Sequence, residues 1–235
     1  MRSPCVVDDA PIWLGSDGIV YRSQGYNPVR ISEHWLEAEL MNKDLSDAWG
    51  MTYAEGGHVF YVLTVPGVDR TYCYDVAMGR WHLRQSGTSI EPARWAPNCI
   101  ARFTGNNLAG VDSGRVGHLS IDHYTDFGQP IRREGRTPPI YPDGARARCS
   151  EIELEVELGV GIDTGQGSDP HVMLRWSDDG GVTWSNERQA SIGRQGARIN
   201  RATVKRLGQF RQRTFSVAIS DPVRVALFGF RVELF

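Results

Sequence analysis

Residues 177–184 carry the side chains with the clearest chemical potential in this chain. Ser177, Asp179, Gly181, Thr183 and Trp184 match the pattern S-x-D-x-G-x-T-W without a mismatch. A carboxylate in such a string could act in glycoside hydrolysis if a second carboxylate lay several ångströms away. The same residues also suit a tight hairpin, because Gly accepts positive φ and Ser or Asp side chains bond to nearby backbone N–H groups. We therefore interpret the string as a structural hairpin signature, with Thr183 and Trp184 beginning the return strand.

The enzymatic alternative is a sialidase-like glycoside hydrolase or a carbohydrate-binding propeller, since the string is the Asp-box of sialidase hairpins. A sialidase needs three arginines converging on a carboxylate, a Tyr–Glu nucleophile pair and an acid. The sequence contains one intact Asp-box, and the nearest equivalent of the Arg-Ile-Pro string of sialidases is Arg30-Ile31-Ser32. The paired acids Asp8-Asp9 and Asp178-Asp179 fall in expected turns. We predict that the chain is not an enzyme and has no catalytic residues.

No pattern in the sequence predicts a metal site or a cofactor. The six histidines form no H-x-H or H-x-x-x-H pair, and the four cysteines have no C-x-x-C spacing. The Gly-rich and Asp-containing stretch 159–169 lacks the regular ligand spacing of a calcium loop. Phosphate-binding loops and nucleophile elbows have no match either. We therefore expect neither metal nor cofactor.

Positive charge is concentrated near the C-terminal end. The net charge is −2, yet residues 188–213 contain eight basic residues and no acidic one. These candidate subunit or DNA contacts are Arg188, Arg194, Arg198, Arg201, Lys205, Arg206, Arg211 and Arg213. They could face phosphate, meet an acidic surface of a neighbouring subunit, or lie on a solvated strand face. The composition by itself leaves these three possibilities open.

Short strands dominate the pattern. Residues 12–22, 58–86 and 107–122 are predicted to form hairpins with Gly, Asp or Pro turns, and 151–159 alternates Glu with apolar residues. Further strands are predicted at 171–176, 213–220 and 223–235. The one predicted helix spans 31–43 and begins at Ser32 as N-cap, with about three turns.

The recurrence of hairpins every 45 to 65 or so residues favours four-stranded propeller blades over an immunoglobulin-like sandwich. We predict an all-β fold with propeller-like blades in residues 1–125, as part of a propeller. A C-terminal β region in residues 126–235 carries the Asp-box hairpin. The Pro- and Arg-rich stretch 130–148 is predicted to be an exposed connection or an arm that reaches a neighbour.

Three segments carry a resemblance to a known family. They are TYAEGGHVFYVLTVPGVDRTYCYDVAMGRWHLRQS, AGVDSGRVGHLSIDHYTDFGQPIRRE, and residues 174–223, where the Asp-box precedes an Arg-Leu-Gly turn and an ISDPV strand. In order and spacing they resemble the packaged-DNA stabilisation proteins of short-tailed bacteriophages, also called tail hub or nozzle proteins. The resemblance extends over about residues 12–228. Full-length members are expected to be longer at the N-terminus.

The resemblance implies a structural virion protein. Such proteins form a ring of six copies below the portal and its adaptor, extend the channel for genome ejection and retain packaged DNA. The implied partners are further copies of the chain, the portal or adaptor ring, a tail needle or fibre, and packaged double-stranded DNA in non-specific contact. With such a channel implied, we favour subunit or adaptor contacts over DNA contacts for the basic residues of 188–213, because a channel that gripped DNA strongly would slow its exit. The implied location is the phage tail, after assembly in the host cytoplasm. No apolar run approaches the 18 or so residues of a membrane span.

Overall fold

A computed structural model describes residues 1–142, 145–197 and 201–235. The chain divides into two compact units, residues 1–123 and 124–235. Strands contain 50% of the residues and helix 4%, so the predicted all-β class is confirmed. Within the described residues, no helix has the length and apolar character needed to cross a membrane.

The first unit consists of three antiparallel meanders, in which spatial neighbours follow one another along the chain. The first meander contains β1 (Cys5–Val7), β2 (Ala10–Leu14), β3 (Val20–Gln24) and β4 (Asn27–Arg30). The second contains β5 (Trp49–Glu55), β6 (His58–Val65), β7 (Arg70–Asp75) and β8 (Arg80–Arg84). The third contains β9 (Pro97–Phe103), β10 (Asn106–Val111) and β11 (Val116–Leu119). The three predicted hairpin regions are confirmed, whereas their arrangement as propeller blades stays a prediction.

The turn between β7 and β8 illustrates how local sequence sets these meanders. Asp75 accepts hydrogen bonds from the backbone N–H groups of Ala77 and Met78 at 3.0 and 3.2 Å, and Gly79 has a φ of 64°. These interactions reverse the chain, and Trp81 then enters β8 with its ring buried. The turn residues thus fix the register in which the apolar side chains meet.

The helix of the first unit is shorter than predicted. α1 spans His34–Leu40, and Glu33, not Ser32, is its N-cap. The Ser32 hydroxyl is engaged elsewhere, because it accepts from the Val20 N–H at 3.0 Å and donates to Glu37 at 2.5 Å. Leu36 and Leu40 are buried, so the predicted amphipathic face is present over two turns instead of three.

The second unit is a β-sandwich of two facing sheets. Its strands are β12 (Thr125–Asp126), β13 (Gln129–Pro130), β14 (Arg133–Arg136), β15 (Ala147–Val156), β16 (His171–Ser177), β17 (Arg188–Ser191), β18 (Ala202–Phe210), β19 (Thr214–Ile219) and β20 (Leu227–Leu234). One sheet has the order β14-β19-β16-β17 and the other β18-β15-β20, while β12 and β13 form a small separate hairpin. Buried side chains of both larger sheets form one core.

Strand alternation explains how β15 serves that core. Ile152 and Leu154 are buried, whereas Glu151 and Glu153 point outwards, as the period of two predicts. The opposite sheet contributes Phe215, which is fully buried.

Two expectations for the second unit need correction. The stretch 130–148 is not simply an exposed arm, because β14 pairs with β19 within it. Finally, Thr183 and Trp184 lie outside any strand, and the return strand β17 begins at Arg188.

Candidate functional site

The Asp-box forms a closed network of hydrogen bonds at the end of β16. The buried Ser177 hydroxyl donates to Asp179 Oδ1 at 2.7 Å and accepts from the Gly181 N–H at 2.8 Å. Asp179 accepts from the N–H of Thr183 at 2.9 Å and from its hydroxyl at 2.5 Å. The indole of Trp184 donates to the Gly181 carbonyl at 3.0 Å. Every residue of the motif therefore stabilises the loop.

The protonation state of Asp179 fits this structural role. Hydrogen bonds from Thr183 and from Ser177 hold the pKa of Asp179 well below its usual range. A general acid in glycoside hydrolysis needs the opposite, a carboxyl whose pKa is raised. The Asp-box carboxylate is ionised at neutral pH, and its oxygens are already used by the loop.

Beside the Asp-box, three arginines converge on Glu134 of β14. Arg132 and Arg175 each place Nη2 2.9 Å from a Glu134 oxygen, and Arg136 places Nε at 3.0 Å. The Ser216 hydroxyl donates to the same carboxylate at 2.8 Å. The Arg132 and Arg175 side chains are only 2% and 7% exposed, so this is a largely buried ion cluster. It lies on the face of the β14-β19-β16-β17 sheet opposite to the core, because Phe215 and Val217 point into the core and Ser216 between them points away from it.

The cluster keeps Glu134 charged. Burial by itself would raise the pKa of Glu134, but hydrogen bonds from Ser216 and the three arginines outweigh burial and lower the pKa to about 2. Glu187 adds a second carboxylate, 2.5 Å from Arg132 Nη2. A sialidase would use an arginine triad to bind the carboxylate of its substrate. In this cluster the chain's own Glu134 fills that position.

Two tryptophans of this unit lie close to arginines. Two arginines of the Glu134 cluster, Arg175 and Arg136, have their guanidinium carbons 4.7 and 5.1 Å from the ring centroid of Trp184. Outside that cluster, the guanidinium carbons of Arg188 and Arg213 are 5.1 and 5.4 Å from the ring centroid of Trp176. Both tryptophans thus pair their rings with cations, which adds to the stability of the loop region.

The structure corrects the prediction for Arg213. Its side chain is 1% exposed, and Nε and Nη2 donate to Asp178 at 2.6 and 2.7 Å. Nη1 donates to the Leu207 carbonyl at 2.7 Å, and the guanidinium lies 4.4 Å from the Phe210 ring centroid. Because each nitrogen of the guanidinium is bonded inside the sandwich, Arg213 is a core residue and not an external contact.

The remaining basic candidates fall into two groups, and Arg198 lies outside the described residues. Arg201 and Lys205 are exposed but face carboxylates of β15, with distances of 3.6 Å to Glu153 and 3.2 Å to Glu151. Arg188 donates through Nη1 to the carbonyls of Lys205 and Arg206 at 2.6 and 3.3 Å, which ties β17 to β18.

The second group has no such partner. Arg194, Arg206 and Arg211 are exposed, and none of them has a carboxylate within 4 Å among the residues that the structure describes. These three side chains are therefore the ones best placed to contact another molecule.

The outer face of the β18-β15-β20 sheet carries both signs of charge. Besides the ion pairs that Arg201 and Lys205 make with β15, Glu155 of β15 lies 3.7 Å from Arg231 of β20. Strong binding to phosphates requires an excess of cations that displaces counterions. A face on which glutamates neutralise the basic residues favours protein contacts instead.

Sequence reasoning missed the residues of the ion cluster. Arg132, Glu134, Arg175 and Glu187 come from three separate stretches, so only the structure brings them together. One local signal was available, because R-R-E-G-R at 132–136 places Glu between arginines at every second position. On a strand, that spacing puts all three side chains on one face.

Comparison with known families gives a match within the second unit. Residues 132–234 match the family model described as Bacteriophage P22 Gp10, beta-sandwich. This part of the chain is similar to the Gp10 β-sandwich domain. The range includes both large sheets, the Asp-box and the ion cluster around Glu134. The Gp10 match supports a structural protein of a bacteriophage tail, located in the virion, in agreement with the resemblance noted in the sequence.

Other comparisons add little to the Gp10 match. A search of curated proteins gives no match. Three solved structures of an exo-β-1,3-galactanase from Phanerochaete chrysosporium, one with galactose and two variants with β-1,3-galactotriose, align with 96–99% of this chain and 68% of theirs. Their identities are 9–10% and their TM-scores 0.28–0.29. Similarity at this level supports no argument about fold or activity.

Proposed function

We propose that this protein is a tail hub, or nozzle, subunit of a short-tailed bacteriophage. In this role it extends the portal channel, retains the packaged DNA and offers docking surfaces to a tail needle or fibres. The observation that carries the proposal is the Gp10 β-sandwich match over residues 132–234. The bonding of the Asp-box also supports it, because that motif is used for folding and leaves no free carboxylate for hydrolysis.

The proposed assembly is a six-fold ring on the portal or its adaptor. A ring is built from head-to-tail contacts, so one surface of each subunit must complement a different surface of the next. Stable assembly also requires large and well-packed interfaces. The exposed Arg194, Arg206 and Arg211 would contribute charge to such a contact, since no nearby carboxylate of the described chain neutralises them.

Contact with packaged DNA would be weak and non-specific under this proposal. Arg201 and Lys205 already face Glu153 and Glu151, so their charges are partly neutralised before a phosphate approaches. Weak contact suits a channel, because DNA must stay in place before ejection and then pass without strong retention.

The proposal is tested by assembly on the adaptor. The purified protein is measured by light scattering alone and with the portal–adaptor ring of the same phage. We expect a ring of about six copies, formed alone or only on the adaptor. A protein that never joins the adaptor contradicts the proposal, and hydrolysis of sialosides or other glycans by the same sample would support the glycosidase alternative.

A pair of matched variants tests the basic contacts. R194S/R211S removes two exposed charges from the second unit, and R80S/R102S removes two exposed charges from the first unit. We expect R194S/R211S to weaken binding to the adaptor ring by about tenfold or more, because each lost interfacial charge pair contributes about 1 kcal/mol. R80S/R102S should bind nearly as well as the unchanged protein. Equal behaviour of the two variants would exclude the assigned contact.

A further inference from the structure

Strand β20 leaves one edge of its sheet open. Phe235, just after β20, bonds to Arg148 through both its N–H and its carbonyl, at 3.0 and 2.9 Å. Because bonding direction alternates along a strand, the backbone groups of Leu234, Val232 and Phe230 point away from β15. Within the described chain, no strand pairs with β20 on that side.

The other edge of this sheet is covered. β18 is also an edge strand, but it lies against β17, and Arg188 of β17 donates to the carbonyls of Lys205 and Arg206 in β18. The β20 edge also exposes large apolar side chains, since Phe228 is 73% exposed and Phe235 75%. A long open edge with exposed aromatic residues invites pairing with another strand.

The charges beside this edge determine which strand would fit. Glu233 lies directly opposite Glu151 of β15, so the two residues form a like-charge pair. Glu151 forms its ion pair with Lys205 of β18, on the side of β15 that is away from β20. Arg231 is 76% exposed and reaches Glu155 only at 3.7 Å. A complementary strand would therefore place a cation next to Glu233 and an anion next to Arg231.

We propose that two free copies of this chain pair antiparallel through β20, about a two-fold axis at Val232. In this register Arg231 of each copy lies opposite Glu233 of the other, at positions where side chains of antiparallel strands come closest. Phe235 of each copy lies opposite Gly229 of the other, so an exposed ring covers a residue without a side chain. About six backbone hydrogen bonds form, from the outward groups of Phe230, Val232 and Leu234.

The two-fold contact is distinct from the proposed ring contact. An antiparallel pair of identical strands is isologous, whereas a ring needs head-to-tail contacts. The dimer therefore belongs to the free subunit, and its measurement needs no adaptor. Failure to dimerise is observed with the free protein, whereas failure of the nozzle proposal is observed with the protein mixed with the adaptor ring.

Charge reversal tests the register. We expect R231E and E233R each to weaken dimerisation by about tenfold or more, because each places two like-charge pairs across the edge. The double variant R231E/E233R should dimerise like the unchanged protein, and an equimolar mixture of the two single variants should form a heterodimer. R224E is the matched control, since Arg224 is 76% exposed and lies outside β20.

Sedimentation equilibrium over a concentration series measures these affinities, and thermal melting followed by circular dichroism verifies that each variant is folded. Weakened single variants, with recovery in the double variant and in the mixture, support the proposal. A protein that stays monomeric up to about millimolar concentration overturns it. Weakened single variants without recovery also overturn it, because β20 would then pair with a different surface.

Discussion

Replacing Glu134 by Gln should destabilise the β-sandwich of the second unit strongly at neutral pH. The substitution keeps the shape of the side chain but removes the charge on which three arginines converge. Arg132 and Arg175, at 2% and 7% exposure, would then remain buried with less compensation. Removal of one partner from a buried ion cluster is costly because the remaining charges cannot be solvated.

The magnitude follows from the pKa of Glu134. A carboxyl whose pKa falls from 4.5 to about 2 has its charged form stabilised by about 3 kcal/mol, and the part of the cluster that meets water reduces this to about 2 kcal/mol. The uncompensated arginines add to it, so we expect a loss of about 2–4 kcal/mol in the free energy of unfolding. Because the folded pKa is depressed, this contribution is present above pH 4.5 and is lost as the pH falls towards 2.

Urea unfolding is measured at pH 7 and at pH 3. It is followed by the hydrogen exchange of peptides from β16 and β19, so that the unfolding of the second unit is observed separately from that of the first. E153Q serves as control, since Glu153 lies on the outer face of β15 and pairs only loosely with Arg201 at 3.6 Å. We expect E153Q to change stability by less than about 0.5 kcal/mol. If E134Q is no worse than E153Q at pH 7, or if its deficit is as large at pH 3 as at pH 7, the reasoning about the cluster is refuted.

Two further predictions concern buried groups. R213M should lower the stability of the second unit by about 2–3 kcal/mol, because the bidentate bond to Asp178 and a backbone bond are lost while packing is kept, whereas R211M should change it by less than about 0.5 kcal/mol. Urea unfolding measures both, and equal effects would contradict a core role for Arg213. Iodoacetamide at pH 8 should alkylate the exposed Cys99 well before Cys73, whose pKa is raised to about 11, chiefly by burial. Mass spectrometry of timed samples measures the order, and early alkylation of Cys73 in folded protein would contradict it.

Local patterns predicted the strands whose partners are near in sequence. The hairpins of the first unit carry Gly, Asp or Pro at their turns. The period of two along β15 showed which face of the strand is exposed to solvent. β14 was not predicted, because its partner β19 lies some 80 residues away and its own composition is rich in Arg. A strand of this kind is specified by pairing and not by propensity.

The candidate site likewise has a part that the sequence predicted and a part that it did not. The Asp-box was predicted because all of its bonds join residues at most four positions apart. The ion cluster was missed because Ser216 and Arg175 reach Glu134 across 82 and 41 residues. Arg213 was assigned to the surface since charged residues are rarely buried, and its partner Asp178 is 35 residues away.

Glu134 occupies the position among the three arginines where an external anion would otherwise bind. A carboxylate delivered by the same strand acts at an effective concentration far above that of any dissolved anion, so phosphates or carboxylates in the surroundings compete poorly. The arginine-rich cluster around Glu134 is therefore expected to bind dissolved anions only weakly, phosphates included. Deleting that one side chain, as in E134A, would be expected to turn this cluster into an open anion-binding cavity.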